Sequence, residues 1–453
     1  MTLRWLSTQL WRHRVMGLLL TLAVTVVLML LATQSLQNTR GHNVRPLGER
    51  KQQKGHDHKY PPAGPGSAPR HMVSSAEGVK KRLLPTAESV NQAIKKRRKP
   101  PPVAFLKTHK TGSSTVQNLL FRLGEREKAT FAFPYYTYQF SYPERFRAEF
   151  VDKLPEGSSQ FDLLCSHMRL DLSQLRQVMP PNVVLVTILR EPLRTFESVF
   201  SYYTSSVPAF SRAKQATTRP GNKDRTALSV FLEDPESFWD PKEPRDGLAK
   251  NPMSFDMGLN NEEWNASWPE DLSHLEEAFN LVMIAEHFDE SLVLLGALLG
   301  LEPQDLAYVR MNARHSSDMT ILDDDARAKL RSWNALDSLL YDFFLQEFWA
   351  KAEHFGLDRL KTGVAELRAS TEKIRSKCVS RAAVHPSELE DLVRPWQTDT
   401  ATVLGYEVKR NLSLEDQGFC VRLVLPELQY HSHLYFQQYG RDMRAMPADL
   451  HLA

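Results

Sequence analysis

Residues 105–115 read FLKTHKTGSST, a short apolar stretch running into two lysines, a histidine and a run of hydroxyl residues. A strand that ends in such a turn and restarts as a helix aims backbone N–H groups and the positive end of the helix at one point, and that point attracts anions. Lys110 sits inside the turn, where an ammonium neutralises phosphate oxygens, and Thr111, Gly112, Ser113, Ser114 and Thr115 offer hydroxyl and backbone donors. The Gly-Lys-Ser/Thr triplet of nucleoside triphosphatases is missing, so the usual lysine and Mg²⁺-ligand positions are out of register. The pattern suits an anion cradle that works without a metal. The plainer alternative is a helix N-terminus with ordinary Ser/Thr caps.

A second group lies in LREPLRTFES, with Arg190 at the tip of an apolar run and Ser198 eight residues on. An arginine fork suits bidentate phosphate binding. The alternatives are a strand-end ion pair of Arg190 with Glu191 or Glu197, and a neutral helix-surface role for Ser198. His431-Ser-His433 offers two histidines without a third ligand motif and reads as surface sequence, so no metal site is expected.

These groups need a scaffold, and the apolar pattern supplies one. Val103–Leu106, FDLLC (161–165), VVLVTIL (183–189) and LVMIAE (281–286) read as strands, the third β-branched and apolar throughout, as in a parallel sheet buried on both faces. Val116, Leu119, Leu120 and Leu123 follow helical spacing after the hydroxyl run. Phe196, Val199, Phe200 and Tyr203 do so after Pro192, which suits a first helical turn. Residues 290–299 and about 324–376 are helical by pattern. Strands alternating with helices give an α/β fold with a mostly parallel sheet flanked by helices.

The chain has 453 residues and a formal net charge of +3, so its totals do not point to nucleic acid. Three cysteines are too few for a disulfide scaffold or a Cys-rich zinc site. Residues 15–33 are apolar without a charge, long enough at ~1.5 Å per residue to span a hydrocarbon core of ~30 Å. Arg4, Arg12 and Arg14 precede the run without an acidic residue, which favours a signal anchor over a cleaved signal peptide, although Arg40, Arg45, Arg50 and Lys51 lie beyond it. The expected layout is a cytoplasmic tail (1–14), a transmembrane helix (15–33), a polar, disordered lumenal stem (34–101) and a catalytic domain (102–445). The basic run Lys95–Lys99 reads as part of a solvated stem.

FLKTHKTGSST resembles the 5′-phosphosulfate loop of Golgi carbohydrate sulfotransferases, and LREPLRTFES their 3′-phosphate motif. LVMIAEHFDESLVLL (281–295), MNAR (311–314), WNALDSLLY (333–341) and PELQY (426–430) are similar to segments of the galactose 3-O-sulfotransferase family. The resemblance runs from about residue 103 to 440 with motifs in family order. It implies a P-loop-like sulfotransferase fold, 3′-phosphoadenosine 5′-phosphosulfate (PAPS) as donor, no metal, and transfer to the 3-hydroxyl of a β-linked galactose on a glycoprotein or glycolipid. It also implies a single-pass type II Golgi membrane protein with a lumenal catalytic domain.

By the same resemblance Lys110 takes the loop-lysine role at the departing 5′-phosphate, with Lys107 as competitor. His167, in LLCSHMR, matches the catalytic histidine of related uronyl 2-O-sulfotransferases and is the first choice of general base; His109, in the donor loop and able to contact donor or acceptor, is second, and Glu197 is a carboxylate alternative. Residues 111–115 are implied to hold the 5′-phosphosulfate, Arg190 and Ser198 the 3′-phosphate, and Arg314 with His315 and Ser316 to begin a loop over the adenine. Asn251 and Asp256, in AKNPMSFDMGL, would bond galactose hydroxyls, or else form a surface turn around Asn-Pro. A lumenal body makes a Cys378–Cys420 disulfide the expected pair, leaves Cys165 a free thiol, and makes Asn265 and Asn411 N-glycosylation sites. Two other readings stay open: a P-loop kinase or NTPase, and a non-catalytic membrane-anchored glycan-binding protein. The specific acceptor and the oligomeric state are not selected by the sequence.

Overall fold

The computed structural model describes residues 100–222, 224–314 and 319–443. The tail, the apolar run 15–33, nearly all of the stem, and the His315–Ser316 pair lie outside the described residues. Among the described residues no helix is long and apolar enough to cross a membrane.

Four short parallel strands make the central sheet: β1 (Val103–Leu106), β2 (Leu163–Leu164), β3 (Val184–Leu189) and β4 (Leu281–Ile284), in the order β2-β1-β3-β4. Ala104 pairs with Leu164 on one side and Leu185 on the other, and Val186 pairs with Leu281. Every residue of these strands is buried, which explains why the sequence shows apolar runs and no alternation. The polar exception, Thr187, donates its hydroxyl to the Leu106 carbonyl at 2.9 Å.

Two strands are shorter than their apolar runs. Only Leu163 and Leu164 of the 161–165 run pair as a named strand, and the 281–286 run turns into a 3₁₀ segment at Ala285–His287. Helices follow at Ser113–Arg126, Pro192–Tyr203 and Phe288–Leu299, each after the C-terminal end of a strand. Their N-termini therefore gather along one edge of the sheet, where open parallel sheets bind ligands.

The helical stretch beyond residue 324 is three helices, Asp324–Trp333, Ala335–Phe355 and Leu357–Cys378. The breaks fall at Asn334 and at Gly356, whose φ of 100° suits glycine. A second, antiparallel sheet was not legible in the sequence: β5 (Ala313–Arg314), β6 (Val379–Val384) and β7 (Val403–Val408), ordered β5-β7-β6. β6 is mostly exposed and its pairing register shifts twice, so it lacks the apolar signature of a strand. Cys378 and Cys420 are joined by a disulfide beside this sheet, within a small core that includes Val309, Val384, Leu423 and Val424.

Candidate active site

The site begins where β1 and β2 end. One further parallel bridge pairs Lys107 with His167, so both residues project from the same edge of the sheet. The Lys107 carbonyl lies 2.8 Å from His167 Nδ1 and accepts its proton, which leaves Nε2 as the lone-pair nitrogen. That lone pair is taken: the Lys107 ammonium donates to it at 2.7 Å and donates to Glu427 Oε2 at 2.8 Å. Burial, then the neighbouring His109 and Lys107, push the His167 pKa well below its ordinary value, so the ring is neutral.

His109 lies face to face with His167, ring centroids 3.9 Å apart. Its backbone N–H donates to Asp256 Oδ2 at 2.7 Å, and its Nδ1 lies 3.0 Å from both Asp256 oxygens. Tyr142 donates its hydroxyl to Asp256 Oδ1 at 2.8 Å. The carboxylate thus fixes the ring with the proton on Nδ1 and leaves Nε2, which is buried and meets no protein partner. An aspartate-oriented imidazole with an open Nε2 is the arrangement of a general base. The two candidate histidines thus differ: His109 Nε2 meets no protein partner, whereas His167 Nε2 accepts from Lys107.

The loop after β1 is built on its own hydroxyls. Thr108 donates to the Ile188 carbonyl at 2.5 Å, Ser113 donates to the Thr108 carbonyl at 2.6 Å, and the Thr108 and Thr111 hydroxyl oxygens are 2.8 Å apart. Thr115 accepts from the Met311 N–H at 3.0 Å. The side chains of Thr111, Ser113 and Thr115 therefore shape the loop. Gly112, at φ 88°, caps the following helix without a side-chain bond, so no side chain caps the first N–H groups of the helix. Ser114 is half-buried there; its hydroxyl donates to Glu427 Oε2 at 3.2 Å and accepts from Asn312 at 3.0 Å.

Lys110 sits in the turn at φ 59°, a left-handed conformation that non-glycine residues seldom adopt. Its ammonium lies 3.7 Å above the Tyr202 ring. Burial, then Arg314, Lys107 and Arg190, lower its pKa to about 7. Arg190, at the end of β3, donates Nη1 to the Lys110 carbonyl at 2.9 Å, which ties the two predicted donor motifs together. Ser198 is buried on the helix that follows. Its neighbour Glu197 accepts from Arg314 at 2.6 Å, an almost fully buried ion pair, and from the Thr320 N–H at 3.0 Å. Glu197 is thus committed to the fold and is not free to act as a base.

Asn251 and Asp256 are both buried, which removes the surface-turn reading. The Asn251 side-chain oxygen accepts from the N–H groups of Leu336 and Asp337, each at 3.1 Å, and its amide donates to the Asn261 carbonyl at 2.8 Å. It holds the start of the Ala335–Phe355 helix. Asp256 is spent on His109 and Tyr142. His431 is not surface sequence: it is fully buried among Phe121, Phe133 and Tyr138, and burial lowers its pKa to about 3. His433 instead pairs with Glu125 at 3.2 Å. No cluster among the described residues has the ligands for a metal ion. Cys165 is a buried free thiol.

Tyr142, Tyr202 and Glu427 escaped the sequence reading as site residues. They reach the site from distant parts of the chain, and no local spacing marks them.

The galactose-3-O-sulfotransferase family model matches residues 68–438. The galactosylceramide sulfotransferase of Homo sapiens is 37% identical over 334 residues, 72% of this chain and 76% of that protein. Galactose-3-O-sulfotransferase 3 of Mus musculus is 37% identical over 357 residues, 75% of this chain and 78% of that one. Galactose-3-O-sulfotransferase 2 of Homo sapiens is 37% identical over 354 residues, 75% and 85% of the two chains. The matched span contains the loop after β1, the stacked histidines, Arg190 and Glu427, and the chain belongs to the galactose-3-O-sulfotransferase family.

Proposed function

We propose that this protein transfers a sulfo group from PAPS to the 3-hydroxyl of a β-linked galactose on a glycoprotein or glycolipid. Family membership supports the reaction class, since the relatives are named for sulfo transfer to galactose or galactosylceramide. The observation that carries the mechanism is the Asp256–His109 pair with its unpartnered Nε2.

The donor set fits a bisphosphorylated anion: an uncapped helix entrance at Gly112, the Lys110 ammonium, and the Arg190 guanidinium, all at one edge of the sheet. PAPS supplies the sulfo group and a 5′-phosphate leaving group. The helix entrance and Ser114 would hold the 5′-phosphosulfate, and Arg190 with Ser198 the 3′-phosphate, with Arg314 positioned behind them by Glu197. Lys110 offsets charge that grows on the departing 5′-phosphate oxygen. His109 Nε2 takes the proton of the attacking hydroxyl, and Asp256, hydrogen-bonded to Nδ1, stabilises the imidazolium that results. His167, held neutral by burial first and then by His109 and Lys107, buttresses the face of His109 without adding a second positive charge. No step calls for a metal.

On the same reading the chain is a single-pass type II Golgi membrane protein, anchored by residues 15–33, with a lumenal stem and a catalytic domain over 102–445. The Cys378–Cys420 disulfide supports an oxidising compartment, and the Asn265 and Asn411 sequons belong there too. The test is label transfer from ³⁵S-PAPS to β-galactosides by the full chain in detergent with EDTA present. Labelled product is expected. No labelled product, beside Mg²⁺-dependent ATP turnover in a parallel assay without EDTA, would overturn the proposal in favour of a nucleotide kinase or NTPase.

A further inference from the structure

Glu427 is the first residue of the Glu427–Tyr439 helix, more than 300 residues downstream of the phosphate loop, yet its side chain lies inside the site. One oxygen, Oε2, accepts from both the Lys107 ammonium at 2.8 Å and the Ser114 hydroxyl at 3.2 Å. Lys107 is almost completely buried, and its ammonium also donates to His167 Nε2 at 2.7 Å. Ser114, Asn312 and Glu427 line one shallow cleft together with Gln117, Asn118 and Met311. A carboxylate therefore stands among a cation, a hydroxyl and a helix entrance, three features that each attract an anion.

We propose that Glu427 is a built-in placeholder anion for the donor's 5′ end. Without donor, its carboxylate neutralises Lys107 and engages Ser114; when the donor's 5′ anion reaches the helix entrance, like-charge repulsion drives Glu427 off that set, and Ser114 and Lys107 turn to the donor. This inference rests on the donor-site assignment above. It makes Glu427 a positioning residue, because it acts through Lys107 and Ser114 and touches no reacting atom. A purely structural role is the competing account, since an acidic residue in a first helical turn also stabilises the helix by charge–dipole attraction. The two accounts differ in sign: loss of a structural carboxylate weakens ligand binding or leaves it alone, whereas loss of an internal competitor strengthens it.

The experiment compares two nucleotides on the full chain by titration calorimetry. Adenosine 3′,5′-bisphosphate carries the 5′ anion; adenosine 3′-phosphate shares the base, the ribose and the 3′-phosphate but lacks it. Glu427→Gln should bind the bisphosphate roughly tenfold tighter than wild type, an effect of the size that removing one close like charge produces. It should bind adenosine 3′-phosphate with unchanged affinity. Equal changes for both ligands, or weaker binding of the bisphosphate, overturn the inference. Should Glu427→Gln fail to fold, Glu427→Asp, which keeps the charge but draws it back from Lys107, is read by the same comparison and should show a smaller gain of the same sign. Wild type that binds neither nucleotide would sink the donor-site assignment itself, an outcome distinct from the failure of this inference alone.

Discussion

Asp256 grips His109 at two points, accepting from its backbone N–H at 2.7 Å and from ring Nδ1 at 3.0 Å. The backbone bond sets where the residue sits and the ring bond sets which nitrogen carries the proton. A buried imidazole nitrogen left without a partner costs on the order of 1–3 kcal/mol. A reacting hydroxyl that fills this gap would recover that cost as it binds.

His109→Ala should lower kcat by about 10²–10⁴-fold with little change in bisphosphate affinity, the range expected for loss of a general base. Asp256→Asn should also lower kcat strongly, because an amide no longer fixes the Nδ1–H tautomer. His167→Ala should cost less than His109→Ala. Steady-state kinetics beside calorimetric binding of adenosine 3′,5′-bisphosphate separates these effects, and a larger loss for His167→Ala would restore that residue as the base.

Lys110 gives donor binding a pH dependence. Its pKa is lowered to about 7 in the donor-free protein, by burial first and then by Arg314, Lys107 and Arg190. A bound anion favours the charged form and raises the pKa, so above pH 7 binding must take up a proton. Affinity for the bisphosphate should then fall as pH rises from 7 to 9, approaching tenfold per unit. Calorimetry in buffers of differing ionisation heat should show proton uptake at pH 8. Lys110→Arg, charged throughout this range, should flatten the dependence.

Asn251 should prove to be a stability residue. It bonds two N–H groups at a helix start and the Asn261 carbonyl, all inside the core. Asn251→Ala should lower stability by ~2 kcal/mol while the KM for galactosides is unchanged in the folded fraction. A raised KM with unaltered thermal stability would return Asn251 to the acceptor site.

The disulfide and the free thiol should separate cleanly. Cys378 and Cys420 are 42 residues apart, so replacing both by serine should remove ~3–4 kcal/mol of stability by the loop-closure argument. Cys165 is buried and unpaired to another cysteine, and Cys165→Ala should leave transfer intact. Thermal melts with and without reductant, beside the transfer assay, check both.

The parallel sheet was legible because its strands are buried on both faces and therefore apolar throughout, as Val184–Leu189 shows. The strand–turn–helix at residues 103–126 was legible because its apolar strand, hydroxyl-rich turn and helical period are contiguous in the chain. Other features were not legible. β6 is mostly exposed, mixes small, polar and apolar residues and pairs irregularly, so no period marks it. Which of His109 and His167 keeps an unpartnered ring nitrogen depends on Asp256 and Lys107, and those partners are set by tertiary contacts. The hydroxyls of Thr111, Ser113 and Thr115 had the composition of ligand donors, but those of Thr111 and Ser113 are engaged within the turn and that of Thr115 accepts from the distant Met311 N–H. His431 was misjudged for a related reason: the rings that bury it, Phe121, Phe133 and Tyr138, come from distant parts of the chain.

The most direct test of the central claim is regiochemical. The full chain in detergent, with ³⁵S-PAPS, would be given pairs of β-galactosides, each free and 3-O-methylated, including galactosylceramide, the core 1 disaccharide and type 1 and type 2 lactosamines. Label on at least one free galactoside, absent from its 3-O-methyl partner and lost in His109→Ala, is the predicted result. Label that persists on the 3-O-methyl partner, or no label from folded protein that binds the bisphosphate, would contradict transfer to the galactose 3-hydroxyl.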